Sequence, residues 1–171
     1  CNTVLAGVNA NGDRYFYVNP LEVWPENCKE HTSIAYVKPV RQPWFEVACC
    51  PANIARTLAS LGQYIYAVDD RSLYVNLLIS SQIETRLRGT DLRVNMENTL
   101  MQSGELKLRA ASSGEHPLVI RLRVPGWMEL PVFRLDGEQI QPALENGYAV
   151  LAVNCAGEHE FTVQASVPVH T

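Results

Sequence analysis

Two adjacent cysteines, Cys49 and Cys50, run straight into Pro51-Ala52-Asn53 and the start of an apolar-periodic segment. Neighbouring cysteines make a poor disulfide, because bridging them strains the peptide bond between them. Two thiolates at a helix start meet free backbone N–H groups and the positive end of the helix dipole, which lower the thiol pKa and favour nucleophilic chemistry. The pair points to soft-metal binding, to thiolate catalysis, or to both. The competing reading is two buried cysteines acting as small hydrophobes. Cys1, Cys28 and Cys155 bring the total to five. An odd count at these spacings is not the framework of a secreted disulfide-rich domain and indicates a reducing compartment, hence a cytoplasmic location. His31, His116, His159 and His170 are scattered without metal-ligand spacing and read as surface or loop residues.

The element that must carry the cysteine pair is a helix over 51–61. Pro51 fits a first turn, where a missing N–H is harmless. Ile54, Leu58 and Leu61 share one face at i, i+4, i+7 spacing, and Gly62 supplies the stop. Upstream, Asn11-Gly12 lies between Thr3–Val8 and the aromatic run Arg14–Val18, a hairpin signal. Residues 19–43, punctuated by Pro20, Pro25, Pro39 and Pro43, read as a long irregular excursion.

Downstream the pattern turns to β. Alternating segments occur at Tyr64–Val68, Leu73–Ile79, Gln82–Leu87, Leu92–Glu97, Glu105–Ala111, Leu118–Val124, Pro131–Leu135, Gly147–Val153 and His159–Ala165. Turn signals separate them, among them Asp136-Gly137 and Asn146-Gly147. Short strands at this spacing predict a mainly β protein: an antiparallel β-sandwich over 64–171, preceded by a hairpin, loop and short helix over 1–63. The alternating Arg and Lys residues are expected on the solvent face. With 171 residues, 47% of them hydrophobic, the chain can bury a sizeable core, and its net charge of -4 offers no basic footprint for nucleic acid. No apolar run reaches membrane-spanning length.

Several motifs in order carry a family resemblance: Val4–Val8, Tyr15–Glu22, Arg41-Gln42-Pro43-Trp44-Phe45, Cys49–Arg56, Leu58–Gly62, Tyr64-Ile65-Tyr66, Leu73–Leu77 and Arg123-Val124-Pro125-Gly126-Trp127. Together they resemble the bacterial β-L-arabinofuranosidases of glycoside hydrolase family 127. The resemblance implies an (α/α)6 barrel followed by β-sandwich domains, with the helix after the cysteines as the last of the barrel. It implies that Cys49 is both nucleophile and zinc ligand, and that Cys50 is a zinc ligand. The remaining ligands in such enzymes are a glutamate and a cysteine of a Glu-x-Cys motif far upstream, and a separate upstream glutamate is the general acid/base. The family writes two prolines after the cysteines, whereas here the second is Ala52.

The one local match to Glu-x-Cys, Glu26-Asn27-Cys28, lies downstream of the Tyr-Val-Asn-Pro-Leu-Glu segment, in the wrong place for that motif. The chain starts at Cys1 without a methionine and reads as a piece of something longer, expected to lack hydrolase activity alone and to bind zinc weakly or not at all. Tyr17, Asn19 and Glu22 sit near the implied sugar pocket, with Tyr17 the candidate substrate contact. Trp44 is either a sugar-stacking wall or core packing, Trp127 a core residue at the sandwich edge, and Cys155 a lone buried thiol. Two function classes follow. One is part of a zinc- and cysteine-dependent glycosidase acting on arabinofuranosides, with a carbohydrate as partner. The other is a non-catalytic β-sandwich module for support or carbohydrate binding. The helix face left over invites homodimerisation.

Overall fold

A strand in which every second residue is apolar buries one face, so two such sheets stacked face to face satisfy each other. The computed structural model describes residues 7–18, 24–25, 37–47, 49–114, 117–153 and 156–167, with Val153 as backbone only. Cys1, Asn19, Glu22, Cys28, His31, His116, Cys155 and His170 fall outside the described residues, as do Thr3–Ala6. The chain divides into two units, Cys1–Ser60 and Leu61–Thr171.

The second unit begins with a short helix, α2 (Gly62–Ile65), after the helix α1 (Cys49–Ser60) that closes the first. The strands are β1 (Tyr66–Val68), β2 (Ser72–Val75), β3 (Ser81–Leu87), β4 (Thr90–Thr99), β5 (Glu105–Ser112), β6 (Leu118–Arg123), β7 (Glu129–Leu135), β8 (Glu138–Ile140), β9 (Ala143–Glu145), β10 (Tyr148–Val153) and β11 (Gly157–Ser166). A one-turn helix, α3 (Leu100–Ser103), separates β4 from β5. One sheet has the order β1-β2-β6-β10-β9 and the other β3-β4-β5-β11-β7-β8. The expected sandwich is present.

Alternation places the core. In β4, Leu92, Val94 and Met96 point inward while Asp91, Arg93 and Asn95 point out. Leu106, Leu108, Phe161 and Val163 from the six-stranded sheet lie with Leu73, Val75, Ile120, Leu122 and Leu151 from the five-stranded sheet in one buried cluster. The basic residues pair with carboxylates on the outer faces: Arg93 with Glu84 at 2.7 Å, Arg109 with Glu160 at 2.9 Å and Arg121 with Glu145 at 2.8 Å. Asp136-Gly137 makes the tight turn between β7 and β8, with φ of 50° and 88°, as a type I′ hairpin requires.

Three details depart from the expected pattern. One pair, β2 with β6, is parallel, with Leu73 opposite Ile120. The chain reaches β6 only after three strands in the other sheet, so this pair is joined by a crossover rather than a hairpin. The edge strands β8 and β9 have no sequence signal, because β9 is exposed on both faces and β8 nearly so; short, exposed edges also limit unwanted pairing. Gly62 does not cap α1 in a left-handed conformation; it opens α2.

Within the first unit, Asn9 organises the turn before Tyr15. Its side-chain oxygen accepts from the backbone N–H groups of Asp13 and Arg14 at 3.1 and 3.0 Å. Val8 bridges Tyr15, and Tyr15 in turn bridges Gln42. The expected hairpin is therefore a single bridge among the described residues, extended sideways by the segment around Gln42. The helix α1 buries no residue fully; Ile54 is half-buried and Leu58 exposed.

Candidate functional site

The helix α1 starts at Cys49, two residues ahead of the expected start at Pro51. Both cysteines therefore lie in its first turn, where backbone N–H groups lack intrahelical acceptors. Pro51, third in the helix, still falls within that turn and removes a donor that would have no partner. Asn53 donates from its side-chain amide to the Cys49 carbonyl at 2.6 Å, and the Arg56 guanidinium donates to the Asn53 side-chain oxygen. Thr57 Oγ1 donates to the Asn53 carbonyl at 2.8 Å. This ladder holds the first turn, and with it the two thiols, to the helix body.

The two sulfurs lie 4.0 Å apart. The Tyr17 hydroxyl lies 3.2 Å from Cys49 Sγ, bringing together the two residues singled out as nucleophile and substrate contact. The Cys49 thiol is lowered from its ordinary pKa, first by the Tyr17 hydroxyl and then by Cys50, against a smaller opposing effect of burial. Tyr17 is raised, first by Cys49 and then by Cys50. Both directions are those of a phenol donating to a thiolate. The Tyr17 ring rests on Phe45, with centroids 5.6 Å apart, and Tyr15 packs on the same Phe45 at 5.2 Å.

A tetrahedral zinc with Zn–S bonds of about 2.3 Å sets its sulfurs roughly 3.8 Å apart, so the 4.0 Å pair fits two corners of such a site. Among the described residues no group of three or more His, Cys, Asp or Glu could hold a metal. The pair could therefore supply two of the about four ligands that zinc takes.

The other expectations are distributed as follows. Cys49 and Cys50 are free thiols, Cys49 exposed and Cys50 half-buried, so neither is a buried core residue. Trp44 is 53% exposed and is not packed in a core formed by the described residues. Trp127 is 42% exposed and is not the core residue expected at the sandwich edge; its neighbour Met128 fills that place. His159 pairs with Asp136 at 2.7 Å, in the second unit.

Two contributors escaped the sequence reading. Phe45, which carries Tyr17, lies four residues before Cys49 beside the more conspicuous Trp44. Glu46 has a φ of 62°, a left-handed step between Phe45 and the helix. Neither residue type signals its role; Phe45 stands in one of the motifs that carry the resemblance, and Glu46 is marked only by its proximity to the cysteine pair.

Comparison with known proteins adds the family. The profile described as the β-L-arabinofuranosidase GH127 catalytic domain matches residues 1–63, and that of the GH127 middle domain matches residues 72–167. The non-reducing end β-L-arabinofuranosidase of Bifidobacterium longum subsp. longum is 29% identical over 98% of this chain and 26% of its own length. The crystal structure of a GH127 β-L-arabinofuranosidase from Geobacillus stearothermophilus is 34% identical, with a TM-score of 0.86 over 97% of this chain and 26% of that chain. A solved GH127 β-arabinofuranosidase is 25% identical, with a TM-score of 0.77 over 95% of this chain and 26% of that one. The chain thus spans about a quarter of the length of these relatives. The family matches run through both units, and on that ground the chain belongs to glycoside hydrolase family 127.

Proposed function

We propose that the protein containing this chain is a retaining glycoside hydrolase acting on β-L-arabinofuranosides, and that Cys49 is its nucleophile. The observation that carries the reading is the Cys49 sulfur at the first residue of α1, 3.2 Å from the Tyr17 hydroxyl and 4.0 Å from the Cys50 sulfur. A thiolate poised this way is a strong nucleophile toward an anomeric carbon. Its attack forms a carbon–sulfur bond as the glycosidic carbon–oxygen bond breaks. The departing oxygen takes a proton from a general acid, which the family resemblance assigns to an upstream glutamate. Water then cleaves the thioglycosyl intermediate with net retention.

Tyr17 is within reach of any sugar placed against Cys49, and the oxygen that donates to the sulfur keeps lone pairs to accept from a sugar hydroxyl. Cys49 and Cys50 would hold a zinc ion, which when bound keeps thiolates ionised at neutral pH and fixes their direction. With two sulfur ligands and no carboxyl group beside Cys49 among the described residues, the 171-residue chain alone is expected not to hydrolyse arabinofuranosides.

The test uses the intact protein. Rapid quenching during turnover, followed by peptide mapping, should find a pentosyl adduct on Cys49, and Cys49→Ser should abolish turnover. Normal turnover by Cys49→Ser would overturn the assignment. Elemental analysis should find about one zinc per intact chain, lost in Cys49→Ser and Cys50→Ser alike; an intact protein free of zinc would reassign the pair to packing or redox chemistry.

A supporting role belongs to the second unit, which has a core of its own. Its six-stranded sheet presents ion pairs to solvent rather than a platform of aromatic rings, which favours structural support over carbohydrate binding there.

A further inference from the structure

We infer that Tyr17, held by Phe45, is a positioning residue that makes the two adjacent sulfurs unequal by clamping Cys49. A hydroxyl has a single proton to donate, so one hydroxyl cannot donate to both sulfurs at once, and the Tyr17 hydroxyl lies 3.2 Å from Cys49 Sγ. The placement of that hydroxyl is built in. Tyr15 and Gln42 exchange two backbone hydrogen bonds, each of 3.0 Å. That exchange fixes the segment bearing Tyr17 against the segment bearing Phe45. Phe45 is buried, with Tyr15 and Tyr17 tilted against its ring at 60° and 48°. The left-handed step at Glu46 then turns the chain from Phe45 toward the helix that starts at Cys49.

A phenol donating to a sulfur draws electron density from it and occupies one direction of approach. The clamped sulfur is thereby oriented, and it is less nucleophilic than a bare thiolate. Cys50, the second and weaker of the two sulfurs that act on the Tyr17 hydroxyl, is the contrasting partner. The inference deepens the nucleophile assignment above and rests on it only for its consequence in turnover.

The test needs no turnover and no metal. The intact protein, treated with a chelator, is alkylated with a limiting amount of iodoacetamide at one fixed alkaline pH. Labelling of Cys49 and Cys50 is quantified by peptide mass mapping. The readout is the change in the Cys49-to-Cys50 ratio on mutation, so the different exposure of the two thiols cancels. Tyr17→Phe keeps the ring on Phe45 and removes the donor; it should raise the ratio on the order of fivefold, the worth of one hydrogen bond. Phe45→Leu keeps the hydroxyl but frees the ring, and should raise the ratio in the same direction. An unchanged or lower ratio in Tyr17→Phe overturns the clamp. A raised ratio in Tyr17→Phe with none in Phe45→Leu overturns the part assigned to Phe45. Failure of the glycosidase reading would leave these ratios untouched, so the two can fail separately.

Discussion

Gly104 caps α3 in the left-handed conformation, with φ of 73°, and its N–H donates to the Leu100 carbonyl at 3.0 Å. Its carbonyl accepts from Ala165 N–H at 2.9 Å, so the backbones of this cap and β11 lie against each other. A Cβ at this position would stand 2.8 Å from the Ala165 carbonyl oxygen, which is backbone of a core strand and cannot swing aside. Gly104→Ala therefore carries two penalties. The left-handed conformation costs an L-residue about 1–2 kcal/mol, of which about 0.4–1 kcal/mol is returned by the stiffer unfolded chain. Forcing β11 away from the new methyl adds about 1–3 kcal/mol, as overpacking does.

Gly137, with φ of 88° and nothing within 4 Å of its Cβ position, carries the first penalty without the second. The two variants should then differ by about 2 kcal/mol, or about 8 °C in thermal midpoint for a unit of this size. Thermal unfolding followed by far-UV circular dichroism, run on both variants beside the parent, measures the difference. Equal midpoints for the two variants, or a Gly137→Ala variant less stable than Gly104→Ala, would refute the argument from close approach.

Three further predictions concern the sandwich. Leu108, fully buried in β5 between β4 and β11, should lose about 2–5 kcal/mol on replacement by alanine. Leu130→Ala, at a site 85% exposed, should stay within about 0.5 kcal/mol of the parent; urea unfolding reads both. Asp136 is held below the ordinary carboxylate pKa, first by the Glu160 N–H at 2.8 Å and then by His159. A depressed carboxyl stabilises the fold above its unfolded pKa of about 3.9 and loses that contribution as pH falls through its folded value. Asp136→Asn, which tolerates the same positive φ, should be less stable than the parent near neutral pH, with the gap narrowing as pH falls below the ordinary carboxylate range; a gap that does not change with pH would show that the charge is not the cause.

The sandwich was legible in the sequence because its physics is local. Alternation in β4, β5 and β6 states which side chains enter the core, and Asp136-Gly137 announces a turn that few other pairs can make. What was not legible there depends on distant partners. The edge strands β8 and β9 exist because β7 and β10 offer them free backbone groups, and β2 lies parallel to β6 only because three strands of the other sheet intervene.

The candidate site was legible in a different way, and only in part. Cys49 and Cys50 announce themselves because two thiols before a helix have few other uses. Nothing in the residues themselves joins Tyr17 to Cys49 across 32 positions. That contact follows from the paired hydrogen bonds between Tyr15 and Gln42 and from the buried ring of Phe45, both of them products of folding. The cysteine pair also differs from the sandwich in what it needs. Leu108 and its neighbours find every partner within their own unit, whereas two sulfurs fill only half of a zinc coordination sphere, and none of the described residues completes it. If the pair holds zinc as proposed, the remaining ligands and the general acid must come from outside the described residues, and the chain spans about a quarter of the length of its relatives.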